Sequence, residues 1–321
     1  MINIVACASD NYTMQCGVMM CSVCENNRTE AINFYIFVDN KFTDAHKKDL
    51  EDLVGKYPQK RICFLLITDE QIQRFLPFET YFYTRHVFYR LLMAELLPKS
   101  IDKVLYLDCD IIVRHSLCSL WEINIENVFA GVVHDAQEAV ISKFNRLGYS
   151  YDKGYFNSGV LFVNLKYWRE KDATHLLLDF IEKYPTEIVL PDQDPLNVVF
   201  QDNKVFLPFT YNFQSGFLYN PEAMLIDYSK YQREIIRVIN DPVILHLSGE
   251  RPWIKGCAHP YKDEYFKYRA LTRWKNEPLW DNPAPLKERL FKSNLLRKLL
   301  SKFGICHIIP NNYRRGISLN R

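Results

Sequence analysis

The chain has 321 residues, of which 48% are hydrophobic, which is enough for one large α/β domain or two smaller ones. The net charge is only +2, and no segment reaches the roughly 18 apolar residues of a membrane span. Met1 to Ala8 has no basic start and is too short for a signal peptide, so we expect a cytoplasmic protein. Nine cysteines without a regular framework fit the same reducing compartment.

Apolar and amphipathic segments alternate along the chain. The apolar segments predict strands at 3–8, 34–38, 61–67, 104–108, 111–113, 128–134 and 159–164. The amphipathic segments predict helices at about 13–24, 43–57 and 85–97, and another in which the apolar residues recur at helical spacing: Leu176, Leu177, Phe180, Ile181 and Tyr184. This alternation is typical of an α/β fold with a mostly parallel, Rossmann-like sheet flanked by helices.

The C-terminal segment differs from the rest in composition and charge. Prolines interrupt the chain from about residue 276, so we predict one domain over 1–275 and a tail over 276–321. Residues 286–321 hold nine basic residues and one acid, a charge of +8 that leaves −6 for the remainder. Their leucines form one helical stripe, which predicts a basic amphipathic helix on the anionic inner face of the cytoplasmic membrane. The alternative is a helix docked on the core, and nothing accompanies the charge that indicates nucleic-acid binding.

Asp108 and Asp110 lie between two apolar runs, at the end of one predicted strand and the start of the next. Side chains two residues apart in an extended segment point to the same side, so we expect these carboxylates to converge. Two such carboxylates repel each other and raise each other's pKa unless a cation separates them, and hard oxygen ligands suit Mg²⁺ or Mn²⁺. The alternative is that one Asp caps the next element and the other is solvated.

Polar side chains follow several of the predicted strands. Ser9 to Tyr12, Asp108 to Asp110 and His134-Asp135 each come directly after an apolar run. In parallel α/β sheets, ligands bind beyond the carboxyl ends of the strands, so we expect these groups to gather at one edge.

Three later segments add candidates to that edge. His246 ends an apolar run and precedes a loop with Gly249 and Arg251, which suits metal and phosphate binding or else a core histidine with a turn glycine. In 192–195, Asp194 and Pro195 predict an N-cap and a first helical residue, which leaves Asp192 and Gln193 on a loop facing the same edge. Phe156-Asn157-Ser158-Gly159 reads as a tight turn opening a strand.

Together these segments, in this order, resemble glycosyltransferase family 8, which includes bacterial galactosyl- and glucosyltransferases and glycogenin. The matching pieces are Ala8-Ser9-Asp10-Asn11-Tyr12, Tyr89-Arg90-Leu91, Val104 through Val113, Phe156 through Leu161, Asp192-Gln193-Asp194 and His246 through Trp253. The resemblance spans roughly residues 1 to 260 and implies a GT-A type fold. Two positions depart from the family pattern: Ser9 stands where Asp is frequent, and Arg251 stands in a shortened loop where Lys is usual.

The resemblance also implies roles for individual residues. Asp108, Asp110 and His246 would hold a divalent cation, Mn²⁺ or Mg²⁺, on the diphosphate of a UDP-sugar. The uridine pocket would be lined by Ser9, Asp10, Asn11 and Tyr12, and Ala8 and Cys109 would also belong to the donor site. The donor sugar would contact Arg90, Asp135, Asn157 and Asp192, and the diphosphate would contact Gly249 and Arg251. Gln193 would lie beneath the anomeric carbon.

The implied reaction is the retaining transfer of galactose or glucose from UDP to a glycan or lipid-linked acceptor, in cell-surface polysaccharide or lipopolysaccharide synthesis. Gln193 is a poor nucleophile, so attack by the acceptor on the front face is expected, with Gln193 and Asp192 as the catalytic pair. We expect acceptor contacts from 211–231. Two alternatives stay open: a phosphohydrolase of the haloacid dehalogenase type, and an inactive sugar-nucleotide-binding scaffold.

Overall fold

Two β-sheets organise the computed structural model, which describes residues 1–74, 85–136, 138, 142–218, 225 and 227–281. The predicted basic helix of the tail lies outside the described residues. The strands are β1 (Ile2–Cys7), β2 (Ile32–Val38), β3 (Lys60–Leu66), β4 (Lys103–Leu107), β5 (Ile111–Val113), β6 (Ala130–His134), β7 (Phe156–Asn164), β8 (Lys204–Phe206), β9 (Phe213–Gln214) and β10 (Ile244–His246).

Seven of these strands form the large sheet, in the order β3-β2-β1-β4-β7-β6-β8. Strand β7 runs antiparallel to both of its neighbours, and the other four pairings are parallel. The predicted mostly parallel sheet is therefore confirmed. The small sheet has the order β5-β10-β9 and lies beyond the point where the chain leaves β4.

Helices cover the sheets, and their sequences show why. The helix after β1 is buried from Thr13 to Cys24 because it is apolar on nearly all sides, as a helix between layers must be. The described helices are α1 (Thr13–Asn26), α2 (Asp44–Val54), α3 (Asp69–Gln73), α4 (Met93–Leu96), α5 (Cys118–Trp121), α6 (Ser142–Leu147), α7 (Leu165–Glu170), α8 (Ala173–Lys183), α9 (Gln193–Phe200), α10 (Tyr228–Val238) and α11 (Lys262–Arg269).

The core has one cluster on each face of the large sheet. Helix α1 and the small sheet cover one face, and Trp168 and Phe200 belong to the cluster on the other. The eight cysteines within the described ranges are free thiols. None of the described helices is both long and apolar enough to cross a membrane.

The predicted helix at 85–97 differs from the observed segment. Arg85–Leu92 forms a 3-10 helix, and only Met93–Leu96 is α-helical. Arg85 pairs with Asp39 and Asp69, while Arg90 points into the site described below.

The chain stays on the domain beyond residue 275. The backbone of Trp280 bonds to Trp253 and Lys255 at 2.8 and 2.9 Å. Trp253 and Trp280 also contact the ring of Tyr12 edge to face, at 6.2 and 5.7 Å between centroids.

Candidate active site

The two aspartates lie in the turn that joins the large sheet to the small one. Asp108 follows β4, its amide donates to Gly159 of β7 at 2.9 Å, and the Ile111 amide closes the turn onto the Asp108 carbonyl at 3.3 Å. Cys109 and Asp110 form the turn itself. The expectation of an extended segment was therefore wrong. The carboxylates come together because the chain turns between two sheets, and not because strand side chains alternate.

The ring of His246 completes a three-residue cluster with these carboxylates. Strand β10 pairs His246 with Ile111 of β5, which brings the imidazole next to the turn. One ligand atom each from Asp108, Asp110 and His246 lies within 4.8 Å of the others, and His246 Nε2 is 3.2 Å from Asp110 Oδ1. Two carboxylate oxygens and one imidazole nitrogen are a suitable donor set for a divalent cation such as Mn²⁺.

Gly159 makes room for this cluster. A Cβ on Gly159 would lie 2.4 Å from His246 Cε1 and 2.9 Å from Asp108 Oδ2, distances at which neither group could stay in place. The glycine of the Phe156–Gly159 segment is therefore needed for close approach. The segment itself is the start of β7 rather than a turn that precedes it.

Charges within the cluster stabilise one another. Burial disfavours the ionised form of Asp110, but the bond to His246 and the nearby Arg251 outweigh it, so the pKa of Asp110 is lowered. Burial likewise disfavours the cationic form of His246, but Asp110, Asp108 and Asp135 outweigh it and raise the pKa of His246. For Asp110 the mutual repulsion expected from the sequence is thus overcome by neighbouring cations.

Arg90 connects the cluster to a second carboxylate. The guanidinium is buried, with Nη2 2.8 Å from Asp108 Oδ1 and Nη1 3.1 Å from Asp192 Oδ2. Nη1 also donates to the Ser158 carbonyl at 2.8 Å. Burial opposes the charge of Arg90, but the two carboxylates outweigh it, so its pKa lies well above the usual value and the group stays cationic.

The start of α9 carries Asp192 and Gln193. The helix begins at Gln193 with Asp192 at the N-cap position, so the prediction of Asp194 as N-cap was wrong. Asp194 is instead fully buried, where its carboxylate accepts from the amides of Val189 and Leu190 and from Tyr155. A side chain that anchors the preceding loop in this way moves the helix start two residues earlier.

Gln193 is held by hydrogen bonds on both sides of its amide. Its Oε1 accepts from the Ser158 amide at 3.0 Å and from Asn157 Nδ2 at 3.2 Å, and its Nε2 donates to Asp135 Oδ2 at 3.3 Å. Asn157 Nδ2 also donates to Asp135 Oδ2 at 3.2 Å. These three side chains therefore form one connected polar surface.

Two clefts meet at Arg90 and Asp108. The larger has a volume of about 630 Å³, and the smaller has a volume of about 390 Å³. Residues of the larger cleft include Asp135, Asn157, Asp192, Gln193, His246 and Gly249. Residues of the smaller cleft include Cys7, Ser9, Tyr12, Tyr106, Cys109, Asp110 and Arg251. Asp108, Asp110 and His246, called the cation cluster below because of their donor atoms, lie where the two clefts join.

The loop after β1 reaches the smaller cleft through some of its residues. Ser9 and Tyr12 line the cleft, Ala8 is buried and Asn11 is exposed. Asp10 contacts the start of α2. Its Oδ1 accepts from the amide of Thr43, the residue before the helix, at 2.8 Å and lies 2.7 Å from Nδ1 of His46 in the helix. Asp10 thus fixes the position of the loop.

His134 lies away from the clefts, although it ends a strand beside Asp135. Its ring stacks on Phe206 at 3.7 Å between centroids, and its Nδ1 is 2.7 Å from Glu138 Oε1. Asp135, the next residue, does line the larger cleft. The expectation that residues at strand ends reach the site is therefore correct for Asp135 and wrong for His134.

The sequence did not single out three residues that support the site. Tyr106 donates its hydroxyl to Asp108 Oδ1 at 2.7 Å, Ser158 contacts Arg90 and Gln193, and Asn212 lies 3.0 Å from His246 Nδ1. Asn212 lies within 211–231, where only acceptor contacts were expected. The position of Tyr106, two residues before Asp108, was the one sequence feature that could have indicated its hydrogen bond to Asp108.

Comparisons with known proteins agree with this arrangement. A sequence model described as glycosyl transferase family 8 matches residues 3–257. General stress protein A of Bacillus subtilis is 29% identical over 281 residues, covering 85% of this chain and 94% of its own. Lipopolysaccharide 1,2-glucosyltransferase of Escherichia coli is 27% identical over 324 residues, covering 98% and 92%.

Solved structures agree on the fold. The galactosyltransferase LgtC, in complex with donor and acceptor sugar analogues, superposes with a TM-score of 0.72 at 23% identity, covering 90% of this chain and 99% of LgtC. The LgtC-like fold is the GT-A arrangement that the sequence predicted. Because the family match extends over most of the chain, this protein belongs to glycosyl transferase family 8 and is a glycosyltransferase.

Proposed function

We propose that this glycosyltransferase moves a hexose, galactose or glucose, from UDP to a hydroxyl of a glycan or glycolipid acceptor with retention of configuration. The observation that carries the proposal is the cluster of Asp108, Asp110 and His246 at the junction of two clefts. A diphosphate at this junction would extend its nucleoside into one cleft and its sugar into the other. A relative named lipopolysaccharide 1,2-glucosyltransferase supports a role in cell-surface polysaccharide or lipopolysaccharide synthesis.

In this proposal the smaller cleft takes the uridine. Ser9, Tyr12 and Cys109 line it, and Asp10 holds the loop against α2. Arg251 also lines this cleft, and Gly249, with φ of 95°, lets the backbone of the same loop approach the diphosphate. A bound divalent cation, Mn²⁺ or Mg²⁺, supplies positive charge that stabilises the departing diphosphate.

The larger cleft takes the hexose. Asp192 Oδ2 is buried and has no hydrogen-bond partner, although Arg90 Nη1 is within ion-pair distance of it. A buried acceptor without a hydrogen bond is costly, and a donor-sugar hydroxyl would satisfy it. Asp135 and Asn157 present further polar groups to the same cleft.

Gln193 is proposed to position the sugar rather than to attack it. Its Oε1 already accepts hydrogen bonds from Ser158 and Asn157, which lowers its electron density and fixes its direction. An amide oxygen engaged in this way is a poor nucleophile. The acceptor hydroxyl therefore attacks from the face that the leaving diphosphate vacates, and a diphosphate oxygen takes its proton.

Incubation with UDP-glucose or UDP-galactose and Mn²⁺ tests the proposal. We expect release of UDP with one of these donors, and ¹H NMR of the first-formed free sugar should show the α anomer. Release of inorganic phosphate, or a β anomer formed first, would contradict the proposal. UDP binding without turnover of either donor would indicate the inactive scaffold.

Asp110→Asn tests the proposed cation ligand, because it keeps the shape of the side chain and removes the carboxylate. Residues that support a metal ligand typically change activity about tenfold to a hundredfold when they are replaced. Loss of a direct ligand should have a larger effect, so the rate of UDP release should fall more than about a hundredfold. The variant should stay folded with a moderately lower melting temperature, because it loses the ion pair with His246. Unfolding of the variant would favour a structural role for the aspartates.

A further inference from the structure

A chain of side-chain amides connects the backbone of β7 to His246. Asn212 is fully buried and lies between His246 and Asn157, with contacts of 3.0 Å on each side. Asn157 in turn contacts Gly159 and Asp135. The direction of each hydrogen bond in this chain follows from its two ends.

The first amide has a unique orientation. The backbone N–H of Gly159 can only donate, and it lies 3.0 Å from Asn157 Oδ1. The carboxylate of Asp135 accepts from Asn157 Nδ2 at 3.2 Å. A flipped Asn157 would place N–H against N–H and oxygen against oxygen, so Oδ1 must face Gly159.

The orientation of Asn157 determines that of Asn212. Asn157 Oδ1 is an acceptor, so the group of Asn212 that lies 3.0 Å from it is the donor Nδ2. The carbonyl oxygen of Asn212 then faces His246 Nδ1. Since that oxygen can only accept, Nδ1 of His246 must carry a proton.

The consequence appears at the other nitrogen of the ring. His246 Nε2 is the atom that faces Asp110 and the cation cluster. A ligand nitrogen needs a lone pair, and a neutral imidazole with its proton on Nδ1 has that lone pair on Nε2. We propose that Asn212 is a positioning residue that fixes the tautomer and ring orientation of His246 for a divalent cation. This inference rests on the cation dependence in the proposed function.

Two substitutions separate this role from simple packing. Asn212→Leu keeps the branched shape and removes both the acceptor for Nδ1–H and the donor to Asn157, whereas Asn212→Asp removes only the donor and keeps the acceptor. Mn²⁺ affinity is measured without donor sugar, from the electron paramagnetic resonance signal of the free ion. We expect Asn212→Leu to weaken binding about tenfold to a hundredfold, the range for partners of metal-ligating histidines, and Asn212→Asp to stay within about threefold.

The outcomes distinguish the two proposals. Wild-type affinity in Asn212→Leu, or equal losses in both variants, would overturn the inference about Asn212 alone. Failure of the wild-type protein to bind Mn²⁺ would overturn the cation dependence as well.

A measurement on the wild-type chain covers the case in which a variant does not fold. Long-range ¹H–¹⁵N correlation spectra report the protonation of each imidazole nitrogen, and loss of one signal set in His246→Gln assigns His246. With saturating Mg²⁺, whose binding requires an unprotonated Nε2, we expect Nδ1 to be protonated and Nε2 to carry no proton. An unprotonated Nδ1 would overturn the inference.

Discussion

Arg90 stacks on the ring of Tyr106, with its guanidinium carbon 4.4 Å from the ring centroid, and both side chains donate to the same oxygen of Asp108. Burial, together with Asp108 and against the opposing charge of Arg90, raises the pKa of Tyr106 well above its usual value, so the phenol stays a donor. Oδ1 of Asp108 is therefore committed to the protein. Oδ2 lies on the side of Gly159, where the ring of His246 also packs.

Asp192→Asn should separate function from stability. Burial raises the pKa of Asp192, and Arg90 only partly offsets it, so the ionised form is disfavoured in the folded protein. Because the folded pKa exceeds the unfolded one, the cost of ionising Asp192 grows as pH rises from the unfolded value of about 3.9 and is fully present above the folded pKa. We expect the variant to match or exceed the wild type in free energy of unfolding at pH 7. Donor turnover should fall roughly a hundredfold or more.

Urea denaturation and UDP release measure these two quantities. Asp108→Asn is the control for the free energy of unfolding, because it removes the other carboxylate that contacts Arg90. A strong destabilisation in Asp192→Asn would mean that the ion pair with Arg90 is structural.

Gly159→Ala should displace the cation cluster. The added methyl group would meet His246 Cε1 and Asp108 Oδ2, which belong to a ring and a carboxylate fixed by other bonds. We expect Mn²⁺ affinity, measured by calorimetry, to fall more than about tenfold.

Gly131→Ala on the neighbouring strand is the matched control for this effect. Its methyl group would meet the side-chain tip of Leu207 at 2.9 Å, away from the cluster. Equal affinities in the two alanine variants would show that the approach at Gly159 is not needed for cation binding.

Lys204 should make stability depend on pH in the alkaline range. Burial lowers the pKa of Lys204 to about 8, although its Nζ still donates to the Gln201 carbonyl at 2.8 Å. Between pH 8 and the unfolded value of about 10.4, the unfolded chain binds the proton and the folded chain does not. Stability contributed by this group therefore rises with pH across that window.

Urea denaturation at about pH 7 and pH 9, a unit to either side of the folded pKa of Lys204, checks this sign. We expect the wild type to gain more stability than Lys204→Met over that interval. A Lys204→Met variant that shows the same pH dependence as the wild type would disprove it.

The C-terminal tail should bind anionic membranes. Its charge of +8 over residues 286–321 is the basis, because each basic residue near an anionic surface contributes about 1 kcal/mol. Deletion of 286–321 should abolish co-sedimentation with phosphatidylglycerol vesicles, and neutral phosphatidylcholine vesicles serve as the control. Unchanged binding after deletion would exclude the tail as the membrane contact, and a large loss of stability would favour a helix docked on the core.

Much of the fold was predictable because it depends on local patterns. Continuous apolar runs identified β1, β2, β4 and β6 since buried parallel strands are apolar on both faces. Asp108, Asp110, Asp135 and His246 all follow or end such runs. The geometry of parallel sheets predicted that Asp108 and Asp135 lie at one edge. Asp110 and His246 reach it through the turn into the small sheet and the pairing of β10 with β5.

The errors came from contacts between residues distant in sequence. Asp194 has the chemistry of an N-cap, but Tyr155 and the loop at 189–190 engage its carboxylate. Asn212 gives no signal in its own segment, because its role depends on Asn157, which is 55 residues away. The 3-10 conformation at Arg85–Leu92 likewise departs from a helical pattern that the sequence makes plausible.

The edge-to-face contacts of Tyr12 with Trp253 and Trp280 give the smaller cleft an intrinsic optical reporter. Tyr12 lines that cleft, while Trp253 is fully buried behind it, so a nucleotide that shifts the Tyr12 ring alters the surroundings of both indoles. Occupancy of the cleft can thus be followed by tryptophan emission, with no label on the protein or on the donor.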